Sequence, residues 1–247
     1  MRLIHRALTT SALLLLGAAA ALCQEAQQYT LYLKDKACAE KAEQYARRYL
    51  PEGAALSICV LPKKRKSEQD AHLQAQAIRA GITHLPSISV ADAEGAYAVL
   101  PLNALNKDSL AQAHARAEAP ERAEAAATRD LHARIFLLSA LWSEAEALTD
   151  EQLEQFVADS REALQHAHAT EQDKQFIGFC CLYPALMMQY TRGHQGAHTP
   201  YTEAKLLEAI AALEAARDLN RDSKLGKKAF AERERLRQAR REARKYE

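Results

Sequence analysis

The chain has 247 residues, of which 48% are hydrophobic and 26% are charged. These values are typical of folded globular proteins and exclude a chain that is disordered throughout. The net charge of +1 gives no general attraction to nucleic acid or to anionic membranes, so we predict no nucleic-acid partner. Alanine is abundant, whereas glycine and proline number only 8 and 7, which favours helix.

Residues 1–23 have the pattern of a secretory signal peptide. Two arginines precede an apolar stretch, 12–21, that is short for a membrane span. Cleavage after Ala21 or after Cys23 would suit a signal peptidase. A lipoprotein signal at Cys23 is an alternative, which the bulky Leu22 before it disfavours. We therefore expect a periplasmic or secreted protein with no stable membrane span, in an oxidising compartment.

Residues 28–118 alternate between the two-residue period of strands and the longer period of helices. The order β-α-β-α-β-β-α predicts an α/β domain over 28–118, with a four-stranded mixed sheet and helices on its faces. The run 54–62 is nearly all apolar, which is typical of a strand covered on both faces. The predicted elements are strand 28–34, helix 38–50, strand 54–62, a helix from Ser67 to near Gly81, two strands around a turn at 93–95, and helix 106–119.

Residues 119–247 show only helical patterning, so we predict an all-helical domain there. Thr149 and Gln152 have the spacing of a capping box, which marks a helix start. Segment 202–239 resembles a tetratricopeptide-type (TPR-like) helix-turn-helix, but no strict period of about 34 residues repeats. A degenerate helical repeat or a plain bundle is therefore expected. The predicted helices are 120–147, 150–168, 171–191, 201–219 and 222–245, with a break at 193–200.

Two features of the first domain resemble the thioredoxin family. Cys38 follows a strand and opens the first predicted helix, and the segment Gly81–Pro86 precedes the third strand. The resemblance implies a thioredoxin-like fold in which Cys38 takes the place of the attacking cysteine. It also implies that Pro86 is a cis-proline beside that cysteine, and that Leu85 and Pro86 pair with an extended peptide.

Three positions depart from the family's pattern. Lys41 stands where the resolving cysteine is expected, and Ala37 stands where a tryptophan usually precedes the first cysteine. The family's buried acid falls near Tyr32, which cannot serve as the same proton acceptor. Dithiol exchange is therefore the least expected redox chemistry.

Cys38 could still act as a single reactive thiol. A helix N-terminus and the positive charges of Lys36 and Lys41 would favour the thiolate, which is the attacking form. His84, two residues before Pro86, could tune that thiol or exchange a proton with it, although an exposed loop histidine is the commoner case.

If Cys23 leaves with the signal peptide, the other four cysteines can pair in three ways. Cys59 lies toward the end of a strand that we expect to be central. A Cys38–Cys59 disulfide is conceivable, but a small buried side chain is the favoured interpretation. Cys180 and Cys181 are expected to be buried free thiols on an apolar helix; a disulfide to another chain is the alternative.

No pattern in the chain indicates a metal or an organic cofactor, and we predict neither. His166 and His168 would place their rings on different sides of a helix, while His194 and His198 lack cysteine or carboxylate companions. The chain contains no Gly-rich phosphate loop, G-x-S-x-G or H-E-x-x-H motif.

The sequence supports two functions, with a structural envelope component as a third. The leading hypothesis is a redox-inactive or monothiol adaptor of the cell envelope, which holds a protein or peptide through the Pro86 loop and the helical domain. The alternative is a monothiol disulfide oxidoreductase or isomerase that uses Cys38. The basic segment 221–247 is interpreted as a solvated helix with paired charges or, alternatively, as a docking face for an acidic partner.

Overall fold

The computed structural model describes residues 27–65, 67–143, 145–193 and 199–243; the predicted signal peptide lies outside them. The described residues form two compact units. The sheet unit comprises the residues up to Lys63 together with Ala80–Arg122. The helical unit comprises Lys64–Arg79 and the residues from Ala123 onward.

The sheet unit contains a four-stranded mixed sheet in the order β2-β1-β3-β4. β1 and β2 are parallel, whereas β3 runs antiparallel to both β1 and β4. This confirms the predicted α/β class. The strands are β1 (Gln28–Leu33), β2 (Ala55–Val60), β3 (Ser87–Asp92) and β4 (Gly95–Pro101); the helices of the first half of the chain are α1 (Ala39–Arg47), α2 (Glu68–Arg79) and α3 (Lys107–Ala115).

One face of the sheet forms a core with α1 and α3. Because side chains alternate along a strand, every second residue of β1 and β3 points to this face. Burial of each of these side chains stabilises the unit by about 1.5–3 kcal/mol. The core includes Leu31, Leu33, Ile88 and Val90 from the strands, and Ala42, Ala46 and Leu110 from the helices.

β2 lies at an edge of the sheet, so the predicted central position of this strand is wrong. Ile58, in the middle of β2, is 39% exposed. The apolar run 54–62 does show a strand, but hydrophobicity alone does not show where the strand lies in a sheet. The central places are taken by β1 and β3.

Two helix starts and one turn lie where the sequence predicts them. The hydroxyl of Thr149 accepts a hydrogen bond from the N–H of Gln152, whose side chain bonds back to Thr149. Ser67 Oγ accepts the N–H of Asp70 at the start of α2. Gly95 has a φ of +112° in the turn that joins β3 and β4, a conformation that favours glycine.

The described residues of the second half of the chain form helices and turns, which confirms the coarse prediction of a helical region. α8 and α9 pack against each other as two helices joined by a short turn. The helices are α4 (Arg122–Trp142), α5 (Asp150–Gln165), α6 (Glu171–Phe176), α7 (Tyr183–Gly193), α8 (Pro200–Leu219) and α9 (Lys224–Ala243).

A π-helical segment, Ile177–Leu182, joins α6 to α7. Pro184 has no N–H with which to donate to the carbonyl of Cys180, four residues earlier. The N–H of Tyr183 donates instead to the carbonyl of Gly178, five residues earlier. This bond over five residues is typical of a π-helical turn, and it lies directly before Pro184.

The prediction for His166 and His168 is wrong, because α5 ends at Gln165. Both histidines lie in the turn before α6, with ring centroids 5.7 Å apart rather than on different sides of a helix. A capping box between Thr170 and Asp173 starts α6, and this competing signal ends α5 earlier than the apolar pattern suggests. His194 and His198 lie outside the described residues.

Among the described helices, none is both long enough and apolar enough for a bilayer crossing.

Candidate functional site

The candidate site lies at the end of the sheet where β1 and β2 finish and β3 begins. Leu33 pairs with Val60 in the parallel register, and Tyr32 pairs with Ser87 in the antiparallel one. The segments after β1 and before β3 therefore emerge at the same end. We call it the Cys38 end of the sheet, because it carries Cys38, His84, Leu85 and Pro86.

Cys38 is exposed and is the N-cap residue of α1, directly before Ala39. A single 3₁₀ turn, Lys36–Cys38, carries the chain from β1 to this position. The side chain of Asp35 caps that turn by accepting the N–H of Ala37 at 3.0 Å. The thiol is therefore open to solvent at the positive end of a helix.

Lysines surround this turn, as the sequence predicts for Lys36 and Lys41, which are both exposed. The structure adds Lys63, whose Nζ lies 3.8 Å from Oδ2 of Asp35. Sequence reasoning missed this residue. The parallel pairing of β1 with β2 could have revealed it, since residues that follow paired parallel strands emerge side by side.

The segment before β3 is held by hydrogen bonds on both sides of Leu85. The Leu85–Pro86 peptide bond is cis. The carbonyl of Pro86 accepts the N–H of Leu102 at 3.0 Å, and the carbonyl of His84 accepts the hydroxyl of Ser87 at 2.8 Å. His84 Nδ1 lies 3.1 Å from the hydroxyl of Thr83.

Leu85 itself keeps its backbone groups available. Within the described part of the chain, neither its N–H nor its carbonyl has a hydrogen-bond partner. Its side chain is half-buried, and the neighbouring Pro86 and His84 are exposed. A donor and an acceptor of this kind can pair with an extended segment of another chain.

Cys59 is not placed to form a disulfide with Cys38. It pairs with Tyr32 in the register and shares its face of the sheet, opposite the face that packs against α1. Burial raises the pKa of the Cys59 thiol, and also that of the Tyr32 hydroxyl. Both Cys38 and Cys59 are free thiols. Cys59 is half-buried, so it is more exposed than the small buried side chain that the sequence favours.

Cys180 and Cys181 lie in the π-helical segment, and both are free. Cys181 is fully buried, and burial raises the pKa of its thiol to about 12. Cys180 is half-buried, and burial raises its pKa as well. These thiols belong to the core of the helical unit rather than to the Cys38 end of the sheet.

At the opposite end of the sheet, sequence reasoning missed a polar cluster around His114. Its Nδ1 lies 3.0 Å from the hydroxyl of Tyr97, and its Nε2 lies 3.3 Å from that of Tyr29. The guanidinium of Arg122 lies over the ring of Tyr97 and also pairs with Asp92. Strand alternation could have predicted that the tyrosines point inward, but no spacing rule links them to His114.

The basic face of α9 is matched by carboxylates. Arg233 and Arg237 both pair with Glu214 of α8, and Arg240 pairs with Glu203. This arrangement fits the interpretation of a helix with paired charges.

Comparison of the chain with protein-family models, curated proteins and solved structures gives no match.

Proposed function

We propose that this chain is an exported, thioredoxin-like protein that binds an extended segment of a protein partner at the Cys38 end of its sheet. The observation that carries the proposal is that the backbone N–H and carbonyl of Leu85, beside the exposed Pro86, have no hydrogen-bond partner among the residues that the structure describes. Pairing of both groups with a peptide would add a short strand-like contact next to β3.

The architecture of the sheet unit supports the thioredoxin-like assignment. Along residues 28–115 the elements follow one another as β-α-β-α-β-β-α, and the sheet is mixed and four-stranded. The second of these helices, α2, belongs to the helical unit, so the sheet unit itself keeps α1 and α3. Cys38 and Pro86 occupy the places that the resemblance gives to the attacking cysteine and to the residue that aligns a bound peptide. Lys41 in place of a second cysteine favours binding over dithiol exchange.

The helical unit supports a role in holding proteins, as an adaptor with a TPR-like hairpin. α8 and α9 pack against each other through a core that includes Leu206, Ile210 and Leu213 of α8 and Ala229 and Leu236 of α9. Stacked helical hairpins provide extended surfaces for partner proteins. The fold alone does not choose the partner.

Peptide binding can be tested with the chain from residue 24 onward and peptides selected from an unbiased heptapeptide library. Fluorescence anisotropy of a selected peptide should show at least tenfold weaker binding for Leu85→Asp, because a charge at this position disfavours the partly buried contact. Hydrogen exchange at the Leu85 amide should slow when the peptide is added.

Ile58→Asp is the matched control, because Ile58 is an exposed aliphatic side chain on the open edge of β2. It should leave the peptide's affinity unchanged. Loss of binding in Ile58→Asp together with normal binding in Leu85→Asp would move the site to β2 and overturn the proposal.

Monothiol exchange is the second candidate function, and the exposure of the Cys38 thiol favours it. The Cys38 thiolate would attack one sulfur of a substrate disulfide, form a mixed disulfide and release the other sulfur as a thiolate. A small-molecule thiolate would then attack the substrate sulfur of the mixed disulfide, which releases the Cys38 thiolate and leaves the substrate bonded to the small-molecule thiol. A second small-molecule thiolate would attack the small-molecule sulfur of that bond, which frees the substrate thiol and forms the small-molecule disulfide. Reduction of a model disulfide by the wild type but not by Cys38→Ser would support this function; equal rates would exclude it.

Export can be tested by determining the first residue of the mature chain. Expression with residues 1–23 in a host that secretes proteins should yield a chain that begins at Leu22 or Gln24, as determined by N-terminal mass spectrometry. A chain that begins at residue 1 or 2 and stays in the cytosol would contradict export.

A further inference from the structure

A cavity of about 420 Å³ lies within the helical unit, between α2, α4 and α5. Its apolar lining, which we call the floor, consists of Leu137, Leu138, Ala140 and Leu141 of α4 and Ala71 of α2. A volume of this size lies within the range of about 300–1,000 Å³ that small-molecule sites occupy.

Two of the three arginines that line the cavity are matched by carboxylates. Arg79 and Arg134 flank Asp130, with Nε–Oδ distances of 2.8 and 3.0 Å. Arg134 also reaches Glu162 at 2.6 Å. Burial alone would raise the pKa of Asp130, but its hydrogen bonds to the two arginines outweigh this effect and lower the pKa. These charges hold α2 and α5 to α4.

Arg65 differs from the other two arginines. Its guanidinium donates a hydrogen bond to the hydroxyl of Ser143, which is neutral. Among the described residues, no carboxylate pairs with it. The side chain is partly buried at the edge of an apolar cavity, where a charged group gains most from an anionic partner. Its remaining N–H donors suit a planar carboxylate.

The carboxylates that line the cavity, Glu68 and Asp159, are exposed at its rim. Glu68 lies 3.6 Å from the Nε2 of His72, and its side chain is 72% exposed. Asp159 accepts a hydrogen bond from Gln155 at 2.7 Å. Water screens both carboxylates, so their effect on a ligand bound below the rim is weaker than that of Arg65.

We propose that this cavity binds a small amphipathic monocarboxylate. Its hydrocarbon body lies on the leucines of α4, and its carboxylate pairs with Arg65. Two independent observations support this assignment: the apolar floor, and a guanidinium that pairs with no carboxylate among the described residues. The site lies within the helical unit, so its test is independent of the test for peptide binding at the Cys38 end of the sheet.

Calorimetric titration of the chain from residue 24 onward tests the proposal, with decanoate as the probe. The affinity of shorter carboxylates should fall by about fourfold for each methylene removed, as expected for burial on an apolar floor. Decan-1-ol and decylammonium, which share the hydrocarbon chain, should bind at least tenfold more weakly than decanoate. Decylammonium binding as tight as that of decanoate would assign the site to Glu68 and Asp159 and overturn the proposal.

Arg65→Gln provides the second test and should weaken decanoate binding by at least tenfold. Arg47→Gln is the matched control, because Arg47 is an exposed arginine of the sheet unit. It should leave the affinity unchanged. Equal binding by the wild type and Arg65→Gln, or equal losses in the two variants, would refute a carboxylate site at Arg65.

Discussion

At the scale of single residues, the four described cysteines differ in exposure and therefore in the chemistry open to them. Cys38 is exposed, Cys59 and Cys180 are partly buried, and Cys181 is fully buried. A thiol reacts as its thiolate and only when a reagent reaches it. The same residue type thus serves as a surface group in the sheet unit and as a core side chain in the helical unit.

We expect iodoacetamide at pH 8 to alkylate Cys38 first and Cys181 last. Burial raises the pKa of Cys181 to about 12, so that thiol is both inaccessible and protonated at this pH. Mass spectrometry of peptides over a time course gives the four rates, and urea should remove the difference between them. Alkylation of Cys181 as fast as that of Cys38 in the folded protein would contradict the placement of the π-helical segment.

His114 gives the sheet unit a pH dependence of stability. The hydroxyl of Tyr29 donates to Gln27, so it accepts the Nε2–H of His114, and Nδ1 accepts the hydroxyl of Tyr97. This arrangement fits the neutral ring, and burial lowers the pKa of His114. A folded-state pKa below the unfolded value of about 6.5 means that its stabilisation is present above that value and is lost as the pH falls.

The free energy of unfolding should therefore fall as the pH drops from about 7 to 5, and this loss should be smaller in His114→Gln. Urea unfolding of both proteins at a series of pH values measures the difference. Parallel curves for the wild type and the variant would show that His114 does not contribute.

At the scale of elements, close backbone packing distinguishes two glycines of the helical unit. A Cβ on Gly226 would lie 2.0 Å from the carbonyl oxygen of Asn220, in the turn between α8 and α9. A Cβ on Gly178 would lie 3.4 Å from the Cβ of Ala216, which is an ordinary contact. Only the first position excludes a side chain.

Gly226→Ala should lower the free energy of unfolding by about 1–3 kcal/mol, because the turn must move to accept the methyl group. Gly178→Ala is the control and should change it by less than about 1 kcal/mol. Urea unfolding followed by circular dichroism compares the two. A larger loss for Gly178→Ala would contradict the packing of α9 against the turn.

Local patterns in the sequence predict most helices and strands, but they do not predict contacts between residues that lie far apart in the chain. The capping residues Thr149 and Ser67 fix helix starts because their hydrogen-bond partners lie only three residues away. The edge position of β2 depends on pairing between distant strands, so an apolar run does not reveal it. At the candidate site, Cys38 and Pro86 are found from the family resemblance, whereas the unpaired groups of Leu85 depend on hydrogen bonds that no sequence pattern shows.

At the scale of the whole molecule, each unit has a core of its own. Leu31 is fully buried in the sheet unit, and Ile177 is fully buried in the helical unit. Residues that line the Arg65 cavity come from segments far apart in the chain. The sequence predicts two domains, but for this reason it does not predict the cavity.

Leu31→Ala and Ile177→Ala should each lower stability by about 2–5 kcal/mol, through lost burial and the cavity left behind. Because the cores are separate, hydrogen exchange should quicken mainly in the unit that carries the substitution. Mass-spectrometric exchange with peptide resolution measures both units at once. Equal acceleration in both units by either variant would show that they open as one.

Because α2 belongs to the helical unit, it is synthesised well before the helices against which it packs. The chain leaves the sheet unit after Lys63, returns at Ala80 and leaves it again after Arg122. On the ribosome, Arg79 emerges 51 residues before Asp130, its partner on α4. α2 therefore cannot pack against α4 until α4 has been synthesised. In a nascent chain that ends near residue 122, the apolar face of α2 lacks the helix that covers it. We expect a chaperone to bind this exposed apolar face during synthesis.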